Sequence, residues 1–392
     1  MTLIERIFGR RKEAQQQEVF FRLLSGYTSA HYSHAGGMYE MALIRAAIHS
    51  FASFCGKLEP VEQNGYKYSE LLKNPNELVG GTYNFLYRVA TILAVHNTAF
   101  IVPEKDDRGN VSALYPILPT EAKVVRYEDA AKPYLRFRFI DGRSGALELD
   151  KVGIMTRHQY KSDVFGESSD ALSATLDMMA AQDSAITQAA RDSRSLRFLA
   201  KLMGPLKPSD SEKLQSEFYD LNLRDNKTGV AVFDGKYQQV EVINVKPYTP
   251  EEAQIELINR NVCTYFGTSL DILQNKYDEN TWGAYYEGQI EPFALQLSQA
   301  LSRILYSEEE RKRGMCLMFT ANRLQYAHNR TKLDVCTQLL DRGIISRNEA
   351  RDVFNLPHVE DGDKYYIRKD YAEISELGKE QKEEVNGENN IS

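Results

Sequence analysis

The sequence runs to 392 residues, 42% apolar and 26% charged, an ordinary globular composition with enough apolar side chain for two or three packed cores. A net charge of −7 argues against a protein that grips nucleic acid by a broad basic face, because non-specific affinity comes from neutralised phosphates. Cys55, Cys263, Cys316 and Cys336 form no Cys-x-x-Cys pair, so the reading is buried thiols in a reducing compartment, without a disulfide framework or metal site.

No segment reaches membrane-spanning length; the most apolar run, 89–102, is interrupted by His96-Asn97-Thr98. Residues 1–8 lack the apolar centre of a signal peptide. A soluble cytoplasmic protein is expected.

Residues 1–37 combine Arg10-Arg11-Lys12 with a Gln-rich stretch, and read as an irregular, partly disordered arm rather than a nucleic-acid contact. Leu43, Ala46, Ala47 and Phe51 mark an amphipathic helix over 38–54, stopped at Gly56, and a second helix covers 83–95. Strands are predicted at 100–102 and 113–118 around the turn Asp106-Asp107-Arg108-Gly109-Asn110, then at 134–139 and 146–149 around Asp141-Gly142. This half reads as α+β.

From Ser169 to about Ala200 the composition turns to Ala, Ser, Asp and Arg, with Leu172, Leu176, Met179 and Ile186 on one side. One long helix with so thin an apolar stripe suits packing beside copies of itself better than a monomer's core. Pro205 and Pro208 end it. A short helix at 210–219 and a hairpin, 228–233 with 237–245 joined by Asp234-Gly235, then form a small lobe.

Thr249-Pro250-Glu251-Glu252 starts a helix whose apolar positions are Ile255, Ile258, Val262 and Phe266, and which ends at Gly267. Gln274, Asn275, Lys276, Tyr277, Asp278, Glu279 and Asn280 make a polar loop, either an ordinary surface connection or one held out toward a ligand. Helical spacing resumes near Thr281 and runs through Phe293, Leu297, Leu301 and Ile304, with a kink expected at Pro292. Trp282 either anchors that helix in a core or reaches a ligand. A strand at 315–320 and helices at 330–340 and 346–354 follow, the last opened by the capping box Ser346-Arg347-Asn348-Glu349. Residues 371–392 are Glu-, Lys- and Asn-rich and read as a disordered tail.

Motifs for chemistry are missing. Gly56-Lys57 and Gly235-Lys236 are followed by Leu58 and Tyr237, so there is no P-loop; there is no His-Glu-x-x-His, no Gly-x-Ser-x-Gly and no dinucleotide glycine fingerprint. Asp361-Gly362-Asp363 lacks the remaining ligands of a calcium loop and reads as a turn. No catalytic residue, metal or cofactor is expected.

Several stretches, in this order and spacing, resemble the portal proteins of tailed bacteriophages. They are Ala42–Leu58, Leu71-Leu72-Lys73-Asn74-Pro75-Asn76, 94–100, Leu114-Tyr115-Pro116-Ile117, Gly229–Gly235, Thr249-Pro250-Glu251, Tyr265-Phe266-Gly267-Thr268-Ser269 and Gly343–Arg351 running to Leu356-Pro357. The family has Asn-Ala-Phe or Asn-Ala-Tyr where this chain inserts Thr98.

The resemblance implies a ring of usually twelve subunits at one capsid vertex, through which double-stranded DNA enters and leaves. Its parts would be an α/β wing (38–168), a stem (169–203 and 249–273), a clip (204–248), a tunnel loop facing DNA (274–280), a kinked helix and wing return (281–323) and a helical crown (324–370). It implies a non-enzymatic protein of the virion, assembled in the host bacterial cytoplasm. Partners would be the terminase large subunit, the major capsid protein and a head–tail adaptor. Lys207, Lys213, Arg224, Lys227 and Lys236 are the clip's candidate terminase-facing charges. The alternatives are another head–tail adaptor or tail ring protein, or a nucleic-acid-processing enzyme.

Overall fold

Helix α1 (Ala42–Cys55) buries Ile44, Ala47, Ile48, Phe51 and Ala52, three and four apart, and stops at Gly56. The computed structural model describes residues 21–28, 37–65, 67–127, 130–192, 197–202, 212–213, 216–217, 219–220, 237–243, 251–320, 329–354 and 356–366. Expectations for the remainder of the arm, for hairpin residues 228–236 and for the tail lie outside them. The chain divides into two compact units, 1–168 with 266–392, and 169–265.

In the first unit, strand β1 (Phe21–Thr28) lies within what the sequence presents as an irregular arm. Its segment lacks clean alternation, and its order comes from a partner a hundred residues away: it pairs antiparallel with β5 (Glu121–Tyr127), with a bulge between Leu23 and Ser25. After α1 come β2 (Glu59–Gln63), α2 (Ser69–Lys73) and α3 (Thr82–His96). Helix α3 ends at Asn97, held left-handed at φ 54, a conformation asparagine tolerates. The Asn97 carbonyl accepts the Arg157 N–H at 2.8 Å, and its side-chain amide donates to the Glu167 carbonyl at 2.9 Å.

Thr98 begins β3 (Thr98–Lys105), and its hydroxyl accepts the Gly166 N–H at 2.9 Å. A Cβ on Gly166 would overlap the carbonyl oxygens of Asn97 and Arg157, so the inserted threonine and the glycine lock one junction. β3 and β4 (Val111–Ile117) form the expected hairpin, its turn tied by Asp106, whose Oδ1 accepts the N–H groups of Arg108 and Asn110 at 2.9 and 2.8 Å. β6 (Tyr134–Arg138), β7 (Ser144–Glu148) and β8 (Gly153–Thr156) follow. Apart from β2, these strands make two antiparallel sheets, ordered β1-β5-β6-β7 and β4-β3-β8, which share a core containing Phe100, Val102, Tyr115, Val124, Leu135, Phe137 and Phe165.

The second unit corrects the expected single helix over 169–203. Helix α4 stops at Asp192 (Ser173–Asp192), and Arg197–Leu202 is strand β9, paired antiparallel with β10 (Tyr237–Ile243). A thin apolar stripe gives a helix little to gain by continuing, and a non-local ladder satisfies the same backbone groups. Helix α5 (Glu252–Phe266) buries Ile258, Val262 and Phe266 of the four expected apolar positions, leaves Ile255 in its first turn exposed, and ends at Gly267, φ 64.

The chain then returns through α6 (Leu270–Leu273), α7 (Glu279–Tyr285), a π-helical turn (Tyr286–Ile290) and α8 (Glu291–Leu305). At Pro292, where a kink is expected, the helix is irregular: the π turn lies immediately before it, with the Glu291 N–H donating to the Tyr286 carbonyl, and the proline falls in the first turn of α8. Beyond lie α9 (Glu308–Lys312), β11 (Cys316–Thr320), α10 (Asn329–Asp341) and α11 (Arg347–Val353). The Ser346–Glu349 capping box forms, and Asn348 clasps the 359–363 turn by donating to Asp363 Oδ1 at 2.8 Å and accepting from the Val359 N–H at 2.9 Å.

Helix α8 joins these pieces. It buries Phe293, Leu297, Leu301 and Leu305, and its polar groups finish strands it does not belong to. Gln296 Oε1 accepts the Thr156 N–H of β8 at 3.0 Å. Ser298 Oγ accepts the Phe319 N–H at 2.9 Å, and Ser302 Oγ both accepts from Leu317 N at 2.9 Å and donates to Leu317 O at 3.2 Å, covering the edge of β11 that β2 leaves open. The Tyr68 hydroxyl donates to the Leu305 carbonyl at 2.7 Å, satisfying the end of the helix.

Ser302→Ala leaves both polar groups of Leu317 buried without that partner, and should cost ~1–3 kcal/mol in urea unfolding. A second test is electrostatic. Glu310 Oε2 accepts the Ser307 N–H at 2.8 Å and Oε1 accepts from Lys67 at 3.0 Å, lowering this carboxyl from about 4.5 to about 2. The stabilisation is present above the unfolded value and is lost as pH falls through the folded one. Glu310→Ala should therefore be ~0.5–1 kcal/mol less stable at pH 7, as for a lost cap, with the gap closing between about pH 4.5 and about pH 2 in thermal unfolding.

Candidate functional site

The polar loop is built from capping chemistry at both ends. Ser269 Oγ accepts the Ile272 N–H at 3.3 Å to open α6, and Asp278 Oδ1 accepts the Thr281 N–H at 2.8 Å to open α7. Between them Asn275 takes a left-handed conformation, φ 57, and the Lys276 N–H donates to the Asp271 carbonyl at 2.8 Å, which closes the C-terminal end of α6. The loop proper is 274–278. Glu279 and Asn280, expected within it, are the first residues of α7, because Asp278 is a good N-cap and an acid follows it.

Each side chain of the stretch has a distinct position. Gln274, Asn275, Lys276 and Asp278 are exposed. Tyr277 is half-buried, its ring 5.7 Å from that of Trp282 and 6.2 Å from that of Phe54. Trp282 is buried and lies 4.5 Å from the Phe54 ring and 6.3 Å from Tyr285, which fixes the indole as a core anchor. Glu279 Oε2 accepts from the Thr331 hydroxyl of α10 at 3.3 Å, and Asn280 is exposed. The result is a loop with one cation, Lys276, beside the carboxylates Asp278 and Glu279, on a base of packed rings.

The sequence reading missed the base. Phe54 is more than two hundred residues from Tyr277, and only the spacing of Trp282, Tyr285 and Tyr286 on one helical side hints at an aromatic cluster. Burial pushes the Tyr285 hydroxyl above the ordinary tyrosine range. Of the five clip charges, Lys213 is described: it is exposed, and its carbonyl accepts from Ser216 Oγ at 2.9 Å. Lys207, Arg224, Lys227 and Lys236 lie outside the described residues. Among the described residues no group of three His, Cys, Asp or Glu side chains could hold a metal ion, and no helix is long and apolar enough to cross a membrane.

A family model described as phage portal protein matches residues 45–355. No curated protein matches the chain. Among solved structures, the chain is similar to one from the neck of an empty gene transfer agent particle computed with C6 symmetry, at 17% identity and TM-score 0.56, over 83% of this chain and 95% of that one. It is similar to another from the neck of a native particle computed with C12 symmetry, at 16% identity and TM-score 0.54, over 82% and 94%. An HK97-family phage portal protein from Corynebacterium diphtheriae aligns at 12% identity and TM-score 0.50, over 74% and 96%. At these identities the likeness carries the fold.

The positions of Trp282 and Lys276 separate scaffold from presented surface. Trp282→Ala should cost ~3–5 kcal/mol in urea unfolding, whereas Lys276→Ala should stay within ~0.5 kcal/mol of the parent.

Proposed function

The chain belongs to the phage portal protein family, and from that premise we propose that it forms a ring of about twelve subunits around a DNA channel at one vertex of a phage capsid. The observation that carries this reading is the family match across 45–355, more than three-quarters of the sequence. The neck structures to which the chain is similar were computed with C12 and C6 symmetry, which supports a cyclic arrangement. A heterologous contact repeated around an axis closes into such a ring.

In this reading 38–168 is the wing, 169–203 and 249–273 contribute the stem, 204–248 the clip, 281–323 the return to the wing and 324–370 the crown. The helical part of the first stem segment ends at Asp192. The loop, 274–278 with the start of α7, faces the channel. A ring wall of net negative charge holds phosphate weakly, which lets duplex DNA slide. Energy for packaging comes from a separate terminase whose large subunit docks on the clip, and the major capsid protein and a head–tail adaptor bind other faces. The chain itself is structural and contributes no catalytic step. It works in the virion after assembly in the host cytoplasm.

Lys276 is the clean probe of the loop, since Tyr277 also carries packing. Lys276→Ala should leave ring assembly intact and reduce DNA packaged per capsid in a terminase-driven packaging assay. Unchanged packaging by assembled Lys276→Ala rings would remove the loop from the channel wall.

A further inference from the structure

A cavity of about 250 Å³ on the first unit is walled by the end of β3, the segment before β6, the segment after β7 and the junction of α8 with α9. Five cations reach it from these separate segments: Lys105, Lys132, Lys151, Arg303 and Arg311. Two carboxylates, Asp150 and Glu308, also line it, leaving an excess of three positive charges. Lys132 is paired with Asp150 at 2.5 Å, Lys151 with Glu148 at 2.9 Å, and Glu308 with Lys312 at 2.8 Å. Lys105, Arg303 and Arg311 are exposed and have no carboxylate partner among the described residues.

Three unpaired cations converging in one concavity repel one another, and a low-dielectric wall concentrates their field. The cost is offset when an anion enters. In a chain of net charge −7 this is a local reversal of sign, and it contrasts with the polar loop, where a single lysine sits beside two acids. Two of the three are arginines, whose planar forks meet phosphate oxygens in pairs. Their backbones belong to helices, and Lys105 ends a strand, so the cluster is carried by regular elements.

Resting on the portal reading, we infer that this cavity binds the phosphate backbone of duplex DNA at a station separate from the channel loop. A projecting phosphate, flanked by further anions along each strand, fits a concave basic site better than a flat protein surface does. Contact with phosphates carries no sequence information, so the site anchors DNA of any sequence.

The test uses the assembled full-length protein and covalently closed circular plasmid, which cannot thread a preformed ring. Binding is measured across salt concentrations for the parent, for Arg303→Gln/Arg311→Gln and for Arg88→Gln, an exposed cation on α3 outside the cavity. The parent should bind plasmids of unrelated sequence equally, and the double variant should lower the slope of log K against log salt by about 2. Arg88→Gln should leave that slope unchanged. Light scattering on each sample reports the ring, and thermal unfolding reports the fold. Intact rings whose binding and salt slope match in parent and double variant overturn the cavity assignment and leave the portal reading standing. Absence of rings overturns the portal reading, while the slope still reports on the cavity. Displacement of plasmid by polyglutamate at lower charge concentration than by linear duplex overturns DNA as the ligand and makes the site a dock for an acidic protein segment.

Discussion

The first unit is discontinuous in sequence, and the constraint on which its structure depends is the redocking of the chain after it returns at Phe266. Helix α8 meets that constraint with two kinds of interaction. Its apolar stripe supplies burial, including the Phe293 ring set edge-on against Phe51 of α1 at 5.7 Å. Its polar groups, Gln296, Ser298 and Ser302, supply hydrogen bonds that β8 and β11 cannot obtain from their own sheets. Burial fixes position without direction, whereas the side-chain hydrogen bonds fix register. Without that register β11 would have an open edge.

The loop between α6 and α7 depends on the same redocking. Trp282 and Tyr277 pack on Phe54, so the loop's base is held by α1, and its exposed residues stand on a packed platform. A loop on a rigid base can present side chains at a defined place, which a freely moving one cannot. Lys276 is then free of structural duty, while Tyr277 belongs partly to the platform. The basic cavity near the end of α8 is a different kind of surface. Its charge is assembled from four places in the sequence and depends on α8 being seated.

Much of the fold was legible because the signals were local. The Asp106–Asn110 turn, the stop at Gly267 and the Ser346–Glu349 box each rest on residues within five positions of one another, and each forms as read. The misses share the opposite property. β1 reads as an irregular arm because its order comes from β5, and β9 reads as helix because its partner β10 lies about forty residues on. Glu279 and Asn280 were placed in the loop by polarity, although Asp278 before them is itself a helix-start signal. The aromatic base was half visible, in the helical spacing of Trp282 and Tyr285, and half hidden, since nothing local connects them with Phe54. Lys105, Lys132, Arg303 and Arg311 carry no pattern in the sequence, and only the fold brings them to one cavity.

Family membership gives the chain its class, and the thin-striped helix α4 gives a physical reason for a ring, since neighbouring copies can supply contacts a monomer lacks. The most direct measurement is the mass of the purified full-length protein by native mass spectrometry, with electron-microscope images of the same sample. Closed rings of about twelve copies with a central hole are expected. A stable monomer or dimer at every concentration, with no ring in the images, would contradict it.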